Sequence, residues 1–478
     1  MASKKTLNAK NLEALGAERL AEMLIEISAG NAAAKRRIRL ELAGAQNPGE
    51  VVKEVRKRLA TIARSRSFVD WQNRRALAED LETQRRAIVA QVAKADPTDA
   101  LDLMWRFMAL ADPVFGRCDD SSGTIIGIFH AACGDLGEIA KTAKVDSVAL
   151  ANRAFGALNE NDYGQYDNLI EILTPALGAI GLERLKQRMV ELSQEPLPKP
   201  DPADRQVIGW GSSGPIYASD FAERRRDSTV RLALQEIADA QGDVDAFIAL
   251  HTDKARTVPA VCAEIAQRLL ASGRAEEAWA AINAIDEDRP GWIPVEWEQA
   301  RVDVLEELGR TDEAQAFRWA CFERSLNATH LRAYLKRLPD FDDMEAEDRA
   351  LSHAVGYARV HDALHFLVSW PSLDRAAELV LTRTAELDGD FYEILAPAAD
   401  ALVAKHPIAA TLLRRALINF ALERNRVKRY RHAARHLQEC ATLAARIDDF
   451  GTFEMHDVYV AKLRAAHGRK SSFWTLIS

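Results

Sequence analysis

The sequence predicts an all-α chain: a helical bundle followed by an α-solenoid of tetratricopeptide-like (TPR-like) helical hairpins. Three observations carry this expectation. Apolar residues recur one helical turn apart in nearly every segment, and no alternating strand series stands out. Only 7% of the 478 residues are aromatic while Ala and Leu abound, a mix that favours helix over strand. An internal repeat then appears in the second half, with a period close to the ~34 residues of tetratricopeptide repeats.

In chain order, Leu12, Leu15, Leu20, Met23, Leu24 and Ile27 form a first amphipathic series that should stop near Gly30. Asn47-Pro48 is a helix start, because Pro has no N–H to lose at the first helical position. Val51, Val55, Leu59 and Ile62 follow as a stripe to be buried, with Lys53, Arg56 and Lys57 off it. Residues 1–194 are expected to form the N-terminal helical domain. The stretch EPLPKPDPADRQVIGWGSSGPIYASD carries five prolines and three glycines and cannot be a regular helix. It is expected to be a linker or long loop over residues 195–221. Its GWGSSG lacks the Lys-Ser/Thr that a phosphate-binding loop needs.

Residues 222–478 are expected to form the repeat domain. LLASGRAEEAW and LEELGRTDEAQ align without gaps. Leu269, Gly273, Arg274, Glu277 and Ala278 recur 36 residues later as Leu305, Gly309, Arg310, Glu313 and Ala314. Gly ends one helix and a small Ala lets the next pack closely, which is the logic of stacked hairpins. Further helices are expected at 372–387 and 429–447. At the end, Phe473, Trp474 and Ile477 fall on one face of a short turn capped by Ser471 or Ser472. That turn is expected to close the last hairpin, which a stacked array otherwise leaves half uncovered.

The opening MASKKTLNAK has no apolar run of the secretory type, and no stretch approaches the ~18 apolar residues of a membrane span. The five cysteines are odd in number, with no CxxC pair, so neither disulfides nor a structural zinc are expected. These features point to a cytoplasmic chain without a membrane role. The net charge of −8 is unevenly spread. Residues 1–90 hold 18 Lys+Arg against 11 Asp+Glu, and residues 401–478 hold 14 against 6, leaving a strongly acidic middle. Basic ends of this kind suit either nucleic acid or the acidic body itself.

RSRSFVDW (64–71), WRFMALADPVFGRCDDSSG (105–123), NDYGQYDNLI (161–170) and RYRHAARHLQEC (429–440) resemble an uncharacterised bacterial family, domain of unknown function 6880. The later part is also similar to the helical-repeat region of SWIM zinc-finger proteins, without the finger: the sequence has no Cys-x-Cys or Cys-x-His pair. The resemblance implies a helical scaffold and carries no activity with it.

Several clusters carry residue types that could do chemistry. Asp119 and Asp120 as acid–base groups, with Ser121 or Ser122 as nucleophile, would need a histidine that the spacing does not supply; the same residues suit a helix-capping turn. His432, His436 and Cys440 share a helix face, but three ligands along one helix span ~12 Å, too far for one ion. His361 and His365 lack the glutamate of HExxH. In LNENDYGQYD the calcium-loop register fails at Tyr163 and Ile170, leaving a turn in which Gly164 takes an unusual backbone angle. The contact candidates for a partner or a nucleic acid are Arg36, Arg37, Lys53, Lys57, Arg426, Lys428, Arg429 and Tyr430, the last as a stacking ring. The expectation is a non-enzymatic scaffold for a protein or peptide. A nucleic-acid-associated protein is the alternative and an enzyme the third reading. No cofactor is expected.

Overall fold

The computed structural model describes residues 6–196, 206–211, 214–285 and 293–477. The chain is all-α and divides into two compact units, Met1–Ala255 and Arg256–Ser478. None of the described helices is long and apolar enough to cross a membrane.

In the first unit, Asn47 caps the Pro48–Arg64 helix by accepting from the Gly49 N–H at 2.8 Å, with Pro48 at the first turn. The expected stripe is buried: Val51, Val55, Leu59 and Ile62, joined by Val52. It packs against the Pro97–Met108 helix, which buries Leu103, Met104, Phe107 and Met108. Thr124–Thr142, Ser147–Asn159 and Leu169–Gln194 complete the bundle around Phe129, Leu136 and Leu173. The first apolar series behaves differently. Gly16, at φ +83°, splits it into Ala9–Glu13 and Ala17–Ser28, and Leu24 and Ile27 remain exposed. Periodicity located that helix, but its apolar face is only partly covered: Leu20 and Met23 are half-buried where Ala17–Ser28 meets Ala32–Gln46.

The Pro/Gly-rich stretch holds the one pair of strands among the described residues. Val207–Gly211 and Gly214–Tyr217 form an antiparallel hairpin with Trp210 opposite Pro215. Residues 197–205 and 212–213 of this stretch lie outside the described residues. The hairpin escaped the sequence reading because its first strand buries no face and its second is half-buried throughout: Val207, Ile208 and Trp210 are all exposed, so no alternation marks them. The Ala218–Gln241 helix that follows packs on Leu169–Gln194 in the first unit. Arg226 donates to the Glu195 carbonyl at 2.7 Å across that contact.

The second unit is a run of helices, each packed on its neighbours in sequence. The two repeat segments superpose in their chemistry. After Pro259–Ala271, Gly273 takes φ +75° and the Arg274 N–H closes back on the Leu269 carbonyl at 2.8 Å. After Val295–Glu307, Gly309 takes φ +71° and Arg310 closes on Leu305 at the same 2.8 Å. This is a Schellman closure: the left-handed residue turns the chain so that an N–H satisfies a carbonyl of the last helical turn. Each arginine then grips the glutamate three residues on, Arg274–Glu277 and Arg310–Glu313, at 2.6–2.7 Å through two parallel bonds. Ala278 and Ala314 are both fully buried.

The same closure recurs where the sequence does not repeat. Asp243 bonds to Ala238, Ser372 to Leu367 and Arg426 to Ala421, at 2.9 Å each. Gly242, Pro371 and Asn425 stand at the turn position. The sequence comparison found only the two turns whose side chains also match.

The tail folds onto its own unit. Phe473 is fully buried, edge-on to Tyr430 at 5.9 Å and to Trp474 at 5.0 Å. Trp474 donates its ring N–H to the His467 carbonyl at 2.9 Å, and the Arg464 guanidinium lies 4.4 Å from the Trp474 ring centre. The short Ser471–Trp474 helix starts from Lys470 with no side-chain cap, so neither Ser471 nor Ser472 has the expected capping role.

Candidate functional site

The two basic segments build two small hollows, one in each unit. In the first unit, Arg36, Arg39, Lys57 and Arg58 surround a cavity of about 180 Å³ between Ala32–Gln46 and Pro48–Arg64. Glu54 lines it, and the buried Asp80 carboxylate pairs with Arg58 and, at 3.5 Å, with Arg36. Of the sequence candidates, Arg36 and Lys57 therefore meet here. Lys53 instead pairs with Glu50 at 2.8 Å, and Arg37 is exposed and lines no described cavity.

In the second unit, Lys428, Arg429, His432, Arg435 and His436 line a cavity of about 360 Å³. The Val427–Arg429 turn and the Tyr430–Ala444 helix carry them. Arg429 sits beside Asp390 at 2.9 Å and lies over the rings of Tyr392 and Phe420. His436 is buried and donates from Nδ1 to Glu439 at 3.1 Å; burial holds its pKa below the usual imidazole value. Arg426 lies 6.0 Å from the Phe420 ring centre, outside this cavity. Tyr430 is buried against Phe473, so it offers no ring face for a base to stack on.

The same geometry separates the three residues weighed as metal ligands. His432 is exposed, His436 is committed to Glu439, and the Cys440 Sγ lies fully buried 3.9 Å from the Thr411 carbonyl. Burial pushes the Cys440 thiol up to about 12.

A larger, open groove of about 760 Å³ lies in the same unit. The Thr384–Gly389 segment forms one wall and the Pro407–Glu423 helix the floor, through Arg415, Asn419 and Glu423. Thr452, Lys462 and His467 lie along the other side. Arg415 is buried beneath it, donating to the Glu454 carbonyl at 2.8 Å with the Tyr459 ring 4.4 Å away. Tyr459 in turn donates to Asn419 at 2.8 Å, which fixes the floor. Gly389 separates groove and basic cavity. A Cβ there would stand 2.2 Å from the Ala416 carbonyl, so only glycine lets the loop lie so close to the helix.

A buried polar cluster lay outside the sequence reading. Glu298, Cys321 and His330 come from three consecutive helices, and their ligand-type atoms lie within 4.8 Å of one another. Among the described residues this is the one such group. Both carboxylate oxygens are already engaged: His330 Nε2 donates to one at 3.0 Å and Arg324 to the other. Burial, followed by the Glu298 charge, pushes the Cys321 thiol up to about 11. Carboxylate, thiol and imidazole are zinc-type donors. With both oxygens bonded and a guanidinium beside them, the arrangement is that of a polar tie between helices. No short motif joins residues so far apart in sequence.

The serine-rich turn is a cap. Asp120 accepts from the N–H groups of Ile125 at 3.0 Å and Ile126 at 2.9 Å, at the start of the Thr124–Thr142 helix. Asp119 accepts from the Ser121 N–H at 3.1 Å, and Ser122 shares a 2.7 Å hydroxyl bond with Thr124. The carboxylates are spent on backbone, and among the described residues no imidazole is hydrogen-bonded to either serine.

Residues 2–476 match the model of a family described as a family of unknown function, DUF6880. The chain belongs to that family. No curated protein matches it. Three of the DUF6880 segments singled out in the sequence converge in the first unit. Val69 of RSRSFVDW lies opposite Cys118 of the serine-rich turn: its N–H donates to the Arg117 carbonyl at 2.8 Å and its carbonyl accepts from the Asp119 N–H at 3.3 Å. Trp105 meets Tyr166 at 6.1 Å, and Phe115 stacks on Tyr163 at 4.8 Å. Gly164 takes φ +75°, and the NDYGQYD turn is knitted by Asn161, which accepts from the Tyr166 N–H at 2.8 Å. In this chain these segments hold one another in place.

Proposed function

We propose that the protein is a non-enzymatic, cytoplasmic scaffold, a TPR-like helical solenoid whose second unit holds a segment of a partner protein. One observation carries this reading: the open groove over the Pro407–Glu423 helix, with polar groups spaced among apolar ones. Such a lining suits an extended peptide, whose backbone needs donors and acceptors and whose side chains need apolar contact. Asn419, Glu423 and Thr452 supply the first; Leu412, Phe420 and Phe453 supply the second. Two buried titratable groups, Glu298 and His330, are bonded to each other away from any described cavity, which suits a non-catalytic role.

The test is site-specific photo-crosslinking from position 419 in the native host, with and without nuclease. A discrete protein adduct that survives nuclease and is lost in Ala416→Trp, which fills the groove, is the expected result. Adducts that vanish with nuclease would put the basic ends and a nucleic acid first. An unchanged adduct in the filled variant would end the groove reading.

A further inference from the structure

The basic cavity of the second unit has a chemistry that the groove reading does not use. Five of its lining residues are Lys, Arg or His, and no Asp or Glu lines it among the described residues. The acids nearby are already committed. Asp390 is paired with Arg429, and Glu439 takes Arg414 at 2.7 Å, His436 at 3.1 Å and Arg435 at 3.6 Å. Lys428 and His432 have no ion-pair partner among the described residues. The cavity therefore keeps an excess of positive charge that its own chain does not neutralise.

The rest of the lining is apolar and small. Ala396, Leu417, Ala421 and Ala433 form the floor, with Tyr392 at the side. Alanines on three facing helices are what leaves the space; about 360 Å³ lies in the range of small-ligand sites, roughly 300–1,000 Å³. A bare ion would leave this floor in contact with water, and an apolar molecule would leave the cations unmatched. A single carboxylate brings one negative charge, whereas a phosphate monoester brings about −1.5 to −2 and three acceptor oxygens for several donors at once.

We propose that this cavity binds a small organic phosphate, with the phosphate held by Lys428, Arg429, Arg435 and His432 and an apolar body seated on the alanine floor. The site is separate from the groove and does not depend on the scaffold reading.

Calorimetric titration of the full chain with phenyl phosphate, inorganic phosphate and benzyl alcohol tests both halves of the site. Phenyl phosphate is expected to bind at least tenfold more tightly than either of the others. The double variant Lys428→Glu/Arg435→Glu changes two exposed side chains and should cut that affinity at least tenfold. Lys428→Gln, a milder change, should cut it about threefold and serves if the double variant does not fold. Equal affinity for phenyl phosphate and inorganic phosphate would overturn the proposal, as would binding indifferent to these charges. So would tight binding of a phosphorylated oligonucleotide with none of phenyl phosphate, which would make the hollow part of a nucleic-acid track.

Discussion

The two basic ends carry similar excesses of positive charge and differ in where the counter-charge sits. Near the N-terminus, Arg36 and Arg58 share the buried carboxylate of Asp80, and Glu54 joins the lining of their cavity. Near the C-terminus, Lys428, Arg429 and Arg435 gather over an alanine floor with no acid in the lining. A net charge per segment cannot distinguish these cases. What separates them is whether a counter-charge is built into a neighbouring helix, as Asp80 is in Arg74–Ala87. In the first unit a buried carboxylate sits among the cations; in the second, Arg429 and Arg435 are paired by acids outside the lining, and Lys428 and His432 have no ion-pair partner among the described residues.

The contrast can be broken from its supports downward. Phe473 holds the helix that carries the C-terminal cations, so Phe473→Ala should cost that unit about 4 kcal/mol, read by urea unfolding. A variant as stable as the parent would mean that the tail is not a closing element. Asp80→Ala should cost the first unit about 3 kcal/mol, because it strands Arg58 and Arg36 around a buried site. If Asp80→Ala is neutral, the two hollows are alike after all. Removing cations should show the reverse asymmetry. Arg58→Ala should destabilise by about 2 kcal/mol, whereas Lys428→Ala should change stability by no more than about 0.5 kcal/mol.

Acid gives a smaller and more local effect. Burial lowers the pKa of His361, His436 and His456, all in the second unit. The unfolded chain therefore takes up these protons first, and stability that is complete above the unfolded value of about 6.5 falls as the pH drops below it. His436→Gln should flatten that decline in thermal scans between pH 7.5 and 5.5; an identical slope would remove His436 as a cause.

Much of this was legible in the sequence, for a physical reason. Helical periodicity reports burial on one face, so Val51, Val55, Leu59 and Ile62 could be placed directly. Gly273 and Gly309 announced their turns because the left-handed angle favours glycine. The tail could be read because Phe473, Trp474 and Ile477 have a face to bury. What could not be read was contact between distant segments. Glu298, Cys321 and His330 become neighbours only through helix packing, and the acid-free lining around Lys428 depends on which side each acid faces. Tyr430 marks the boundary: its place on the helix was plain, but its burial under Phe473 depended on where the tail lies.

The repeated closure bond also sets how this chain can vary in length. Leu269 to Arg274 and Leu305 to Arg310 are spanned by the same hydrogen bond, so the count of residues between the two helices is fixed at each turn. One residue inserted after Gly273 would rotate the start of the following helix by ~100° relative to the closure. Ala278 would then leave the core, and a charged neighbour such as Glu277 would turn toward it. Single-residue insertions and deletions should therefore be purged at these short turns.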